Sequence, residues 1–170
     1  VGVSGDGQRV VTCRNNGPPT VWDAATGTLY APAEDHPACA VAISADGAIA
    51  VSGDVNGTLR AWDVTSGQSI GTSPPHYRRI TAIAVTADGS LAVAGDQAGR
   101  VLRWDPAREI VIGAAVHLGA VSAIAVTADG GSMLSGGDDG TVWEWDALTA
   151  TGDSASADSG SPGTAHVLEL

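Results

Sequence analysis

The sequence contains no Phe, no Lys and a single Met in 170 residues. Ala, Val, Gly and Ile make up most of the apolar share instead, and small or β-branched side chains suit closely stacked strands better than helices. Bases are also scarce, with eight against nineteen acids and a formal charge of −11. Binding to phosphate backbones and to anionic membrane surfaces depends on Lys and Arg, so nucleic-acid and membrane partners are both disfavoured. All eight bases are Arg, and with the Ala and Gly richness this points to a GC-rich bacterial genome. Cys13 and Cys39 are the only cysteines and form no CxxC, which leaves neither a zinc nor a redox motif. They read as small buried thiols in neighbouring strands. No stretch approaches the roughly 18 apolar residues of a membrane helix, and no signal peptide is visible, so a cytoplasmic location is expected. The chain opens at Val1 in mid-pattern, as a part of something longer would.

What the chain does have is a repeat. Trp-Asp pairs stand at Trp22-Asp23, Trp62-Asp63, Trp104-Asp105 and Trp145-Asp146, spaced 40, 42 and 41 residues apart. Asp-Gly pairs at Asp6-Gly7, Asp46-Gly47, Asp88-Gly89 and Asp129-Gly130 keep the same three spacings. Each Asp-Gly aspartate precedes its tryptophan by 16 residues, so all variation in length falls between one Trp and the next Asp-Gly. A rigid segment followed by an elastic connection is the signature of a stacked structural repeat.

Each unit reads as four short strands. Ala38 to Ile43, Ile80 to Val85 and Val121 to Val126 are nearly continuous apolar runs, which suits strands covered on both faces. Their alternation is one of size: Ala40 and Ala42, Ala82 and Ala84, Ala123 and Ala125 share a face opposite Val and Ile. Each Asp-Gly makes a hairpin turn into a second strand. Another tight turn, at Asn56-Gly57, Ala98-Gly99 or Asp139-Gly140, leads to the strand that carries the Trp. The Asp after that Trp opens a further turn closed by Gly27 or Gly67, and a less regular fourth strand follows, such as Ile110 to Val116. No 3.6-residue periodicity appears, which excludes an α/β solenoid. Four antiparallel strands cannot bury both faces of their sheet alone, but sheets stacked around an axis can. The fold predicted is therefore all-β, a propeller segment of four consecutive four-stranded blades at 1–35, 36–75, 76–116 and 117–152. The Ser-, Ala-, Asp- and Gly-rich stretch 153–164 reads as a flexible connector, and 165–170 as the start of a further strand.

Residues 1–150 resemble the WD-repeat family. Unit four carries the resemblance best, with His117, Asp129-Gly130, Leu134-Ser135-Gly136, Asp139-Gly140-Thr141-Val142 and Trp145-Asp146. In that family a His, a Ser or Thr, an Asp and the Trp bond to one another inside a blade. The resemblance assigns these places to His117, Ser135, Asp139 and Trp145. Unit two keeps Ser52 and Trp62, has Asn56 at the Asp place, and sets His36 two residues nearer its Asp-Gly. Unit three has His76 but Ala94 and Ala98, so this network is not expected there, and unit one has Thr12, Asn16 and Trp22. Rings of this family usually close with about seven blades, so four units imply a fragment, an open arc, or half of an assembly with apolar end faces free to self-associate. In GC-rich bacteria such repeats often follow kinase, protease-like or NTPase modules. That implies a scaffold or sensor arm in signalling.

Catalysis was weighed against this. His117, Ser135 and Asp139 are the residue types of a hydrolytic triad, but Ser135 lies mid-strand, away from any nucleophile elbow. Asp138-Asp139 lacks the Asp-x-Asp-x-Asp-Gly pattern of a calcium loop, and no phosphate-binding glycine motif opens a helix. Asp23 to Gly27 and Asp63 to Gly67 resemble the turn of quinoprotein dehydrogenase propellers, yet Trp precedes this turn here, while Tyr30 and Ile70 follow it. The expectation is a non-catalytic protein without cofactor or metal.

The face on which WD-repeat proteins bind partners is built by the loop before the first strand and the turn between the second and third. By position, this assigns Tyr77, Arg78, Arg79 and Gln97 of unit three and Asp138 of unit four to the partner face. Tyr and Arg are frequent interface anchors, and an adjacent Arg pair in so acidic a chain suits an acidic peptide or phosphopeptide.

Overall fold

The computed structural model describes residues 1–14, 17–30, 36–75, 78–146 and 166–167. It holds four separate antiparallel sheets, one per sequence repeat, and no helix among these residues. The all-β propeller expectation is borne out. Blade 1 contains β1 (Gly2–Val3), β2 (Arg9–Thr12) and β3 (Thr20–Asp23), with a bridge from Trp22 to Leu29 beyond them. Blade 2 contains β4 (Ala40–Ile43), β5 (Ile49–Gly53), β6 (Leu59–Asp63) and β7 (Ser69–Thr72). Blade 3 contains β8 (Ile80–Val85), β9 (Ala92–Asp96), β10 (Arg100–Asp105) and β11 (Ile110–Val116). Blade 4 contains β12 (Val121–Val126), β13 (Ser132–Gly137), β14 (Val142–Asp146) and β15 (His166–Val167). Within the segment 165–170, read as the start of a further strand, His166 and Val167 pair with Glu144 and Trp143 at the outer edge of blade 4. The connector predicted at 153–164 lies outside the described residues.

The same hairpin is built four times. The hydroxyls of Ser4, Ser44, Thr86 and Thr127 donate to the carboxylates of Asp6, Asp46, Asp88 and Asp129. Each carboxylate also accepts an amide two residues on, from Gln8, Ala48, Ser90 and Gly131. Each hydroxyl accepts the amide that opens the next strand, from Arg9, Ile49, Leu91 and Ser132. Gly follows each Asp because φ there is positive, between 71° and 73°. The hairpins are also joined to one another by main-chain bonds, Gly5 N to Ala45 O at 2.8 Å, Ala45 N to Ala87 O at 3.0 Å and Ala87 N to Ala128 O at 3.0 Å. These tie the innermost strands of successive blades in register.

The core lies between blades. Val11 and Val21 of blade 1 pack with Val41, Ile43 and Trp62 of blade 2. Leu59 and Ala61 of blade 2 pack with Ile80, Ala92 and Trp104 of blade 3, and Val93 and Val101 of blade 3 with Val121 and Met133 of blade 4. Blades 2 and 3 turn Trp62 and Trp104 toward the blade before them. Bulges at Ile80/Ala82 and Val121/Ala123 bring Ile80 and Val121 onto that same side. There they sit over glycines: a Cβ on Gly53 would lie 2.6 Å from the Ile80 side chain, and one on Gly95 would lie 2.3 Å from Val121. At the first interface the corresponding residues are Cys13 and Ala38, a larger receiver with a smaller knob. This corrects the reading of the cysteines. Cys13 and Cys39 are free, half-buried and placed just outside strands, and burial pushes both thiols up.

Candidate functional site

The turn between β13 and β14 and the loop before β12 are joined through His117. Its Nε2 lies 2.7 Å from Ser135 Oγ on β13, and its Nδ1 lies 3.1 Å from Thr141 Oγ1 and 3.5 Å from Asp139 Oδ1. Thr141 fixes the tautomer. Its single hydroxyl proton goes to Asp139 Oδ1 at 2.7 Å, while Trp143 Nε1 donates to Thr141 Oγ1 at 2.8 Å. His117 Nδ1 must then be the donor to Thr141, so Nε2 accepts the Ser135 proton. The Thr141 hydroxyl, then its amide, then the Leu118 amide and the His117 ring hold the Asp139 carboxyl down at about 2, against a small opposing effect of burial.

His117, Ser135 and Asp139 come together, with Thr141 as the bridge between His117 and the carboxylate. The ring set edge-on to His117, at 5.9 Å and 77°, is that of Trp143. The Trp145 and Asp146 side chains lie outside the described residues. Trp143 packs against the blade 3–blade 4 cluster as well, so it serves both the interface and the network. Ser135 Oγ is enclosed, with 1% of the residue exposed, so no substrate carbonyl can reach it as a nucleophile would require.

Blade 2 keeps part of this arrangement despite its displaced histidine. His36 Nε2 lies 2.6 Å from Ser52 Oγ, and the ring meets Trp62 edge-on at 6.2 Å. The carboxylate has moved. Asp54, two residues before Asn56, accepts the amides of Asn56 and Thr58, and in blade 3 Asp96 accepts those of Ala98 and Arg100 and holds Arg100 Nε at 2.8 Å. The matching residue in blade 4 is Gly137, where a Cβ would lie 2.6 Å from His117 Nδ1 and 2.7 Å from Asp139 Oδ1. An inward-bonded turn and a His-linked turn are therefore alternatives at one position. Asn16, of unit one, and His76, of unit three, lie outside the described residues.

The predicted partner face divides. Tyr77 lies outside the described residues. Arg78 and Gln97 are exposed, Arg79 is half-buried, and its carbonyl accepts the Gln97 amide at 2.9 Å. Arg78, Ala98, Arg100 and Val116 line an open depression of about 580 Å³. An adjoining one of about 330 Å³ is lined by Arg78, Gln97 and Ala98. Asp138 is exposed on the corresponding turn of blade 4 and lines neither. Arg100 and Val116 were missed from the sequence. Arg100 was legible as the residue after the Gly99 turn, whereas Val116 comes from the end of β11, a strand too irregular to phase.

The repeat markers Trp22, Trp62 and Trp104 all sit on third strands, and Asp23 and Asp63 cap the turns that follow through the amides of Thr26 and Ser66. Asp105 caps the amide of Arg108. Residues 26–63 and 114–146 match the family model for the WD domain, G-beta repeat. The chain carries WD repeats. No curated protein matches it. Among solved structures, this WD-repeat arc is similar to the computationally designed Ika4 protein, at 28% identity and a TM-score of 0.70. That likeness covers 82% of this chain and 85% of the designed one. WD repeats generally mediate contacts between proteins.

Proposed function

We propose that this WD-repeat arc is a non-catalytic scaffold that captures an acidic or phosphorylated peptide segment at the rim of blade 3. One observation carries the reading. The exposed Arg78 guanidinium borders two adjoining open hollows, one edged by the Gln97 turn and the other by Arg100 and the apolar side chain of Val116. Arg offers fork-shaped donors that match carboxylate and phosphate oxygens, and an apolar wall beside them accommodates a side chain of the same peptide. A chain of charge −11 repels acidic ligands elsewhere, so this corner is selective by contrast. The all-Arg, Ala- and Gly-rich composition supports a bacterial source, and the WD-repeat resemblance, not the composition, suggests an interaction arm in a signalling or regulatory protein. A purely structural, self-associating role is the second reading, favoured by the exposed apolar side chains of Val3, Trp22 and Leu134.

Fluorescence anisotropy with a labelled decapeptide of Glu and phosphoserine tests the rim. Arg78→Glu should weaken capture by at least about tenfold, and added salt should weaken wild-type capture steeply. Equal affinity of wild type and Arg78→Glu would refute this assignment.

A further inference from the structure

We infer that the peptide held at this rim carries a large aliphatic side chain beside its acidic group, and that Leu118 selects for it. This rests on the rim reading and extends it to one further residue and to a direction for the ligand. Leu118 is 98% exposed and Val116 is 61% exposed, with the buried His117 between them. Single apolar side chains in water are ordinary on a protein surface. These two are set apart by how they are held and by what stands on either side.

The loop that carries Leu118 joins β11 to β12, so blade 3 and blade 4 both flank it. Its main chain is fixed at consecutive residues. His117 N donates to Gly99 O at 2.8 Å, and Leu118 N donates to Asp139 Oδ2 at 2.8 Å. Beneath them the His117 ring is bonded to Ser135 and Thr141. The backbone that presents Leu118 is therefore ordered before any ligand arrives, which removes a cost that capture by a loose loop would carry.

The same loop rests on the turn that shapes the hollows. A Cβ on Gly99 would lie 2.3 Å from His117 O and 2.6 Å from Gly119 O. Gly99 stands between Ala98 and Arg100, which line the larger hollow together with Arg78 and Val116. On its other side the loop meets blade 4, where a Cβ on Gly119 would lie 3.3 Å from the Asp138 Cβ. Charge is thus divided across the loop. Exposed Arg78 stands on the blade 3 side, where Arg100 is already paired with Asp96, and exposed Asp138 stands on the blade 4 side. A carboxylate or phosphate is drawn to the first side and repelled by the second. The acidic group of the ligand is therefore directed to Arg78, and the part that crosses Leu118 toward Asp138 is apolar. An aliphatic side chain laid there covers Leu118 and Val116 and removes apolar surface from water on both partners.

Fluorescence anisotropy with two labelled decapeptides of equal charge tests this. One has a central phosphoserine flanked by Glu and Leu, and the other has Ser in each Leu place. Wild type should hold the Leu peptide about tenfold more tightly than the Ser peptide. Leu118→Ser should cut that preference to about twofold and leave the Ser peptide unchanged, and Leu118→Met should restore it. Arg78→Glu should weaken both peptides alike. The Leu118 side chain stands in water, so its variants should keep the wild-type far-ultraviolet spectrum. A preference that survives Leu118→Ser would overturn the role of Leu118 and leave the rim reading in place, provided Arg78→Glu still weakens both peptides. Equal wild-type affinity for the two peptides, or a Leu118→Ser variant that weakens both alike, would overturn it too. Capture that ignores Arg78→Glu, or capture of neither peptide, would remove the rim reading and this inference with it.

Discussion

His117 holds a donor and an acceptor role at once, and Thr141 decides which nitrogen plays which. Truncating the ring in His117→Ala leaves Ser135 Oγ enclosed and removes the link between β13 and the Asp139 turn. Loss of a buried polar partner costs about 1–3 kcal/mol, so a chemical-denaturation midpoint should fall accordingly. A midpoint equal to the parent's would show that the network does not bear on stability. Asp139 gives the same cluster an acid signature. A carboxylate held near 2 in the fold and about 3.9 when unfolded contributes stability that is present above the unfolded value and lost as pH falls through the folded one. Wild type should therefore lose more stability than Asp139→Asn between about pH 4 and pH 2. The other lowered turn carboxylates, Asp6, Asp23, Asp63, Asp88, Asp105 and Asp129, keep a slope in both proteins. Parallel stability curves for the two would remove Asp139 from the account.

The limit of sequence reading is plain at these positions. His117, Ser135 and Asp139 were legible because residue type and spacing together restrict them. Thr141 was not singled out, since a Thr after Asp-Gly reads as ordinary turn chemistry until the His117 ring is placed beside it. Asp54 and Asp96 were invisible for a different reason. The family pattern directs attention to Asn56 and Ala98, two residues later, while the physical need is only that some carboxylate reach the turn amides.

Among elements, the strands were readable and their contacts across blades were not. Runs such as Ile80 to Val85 and Ile110 to Val116 coincide with β8 and β11, because their apolar continuity sets them apart from the polar residues on either side. What periodicity misses is the bulge. Strict alternation would place Ile80 on the alanine face, but the shift between Ile80 and Ala82 turns it toward blade 2 and over Gly53. The same device seats Val121 over Gly95. Gly95→Ala would force Val121 or its strand to move, and overpacking of this kind costs about 1–3 kcal/mol. Gly136→Ala occupies the equivalent place on blade 4, where Ser122 Oγ at 3.9 Å is the nearest neighbour, and should be almost neutral. Thermal melts of the two variants check the contrast. Equal losses would mean that the glycines serve their own strands and not the neighbouring blade.

Across the whole molecule, stability is a sum over blades and over the surfaces between them, as in any stacked array. Blades 2 and 3 are covered on both sides, while blades 1 and 4 each keep one bare face with Trp22, Val3 and Leu134 in water. A single chain should therefore open from its ends. Amide exchange should be slowest in β5, β6, β9 and β10 and faster in β2 and β13, whose sheets have a neighbour on one side only. If exchange in β2 and β13 is already as slow as in β9 when the chain is dilute, the end faces are stable without cover. The argument that each blade depends on its neighbours then fails.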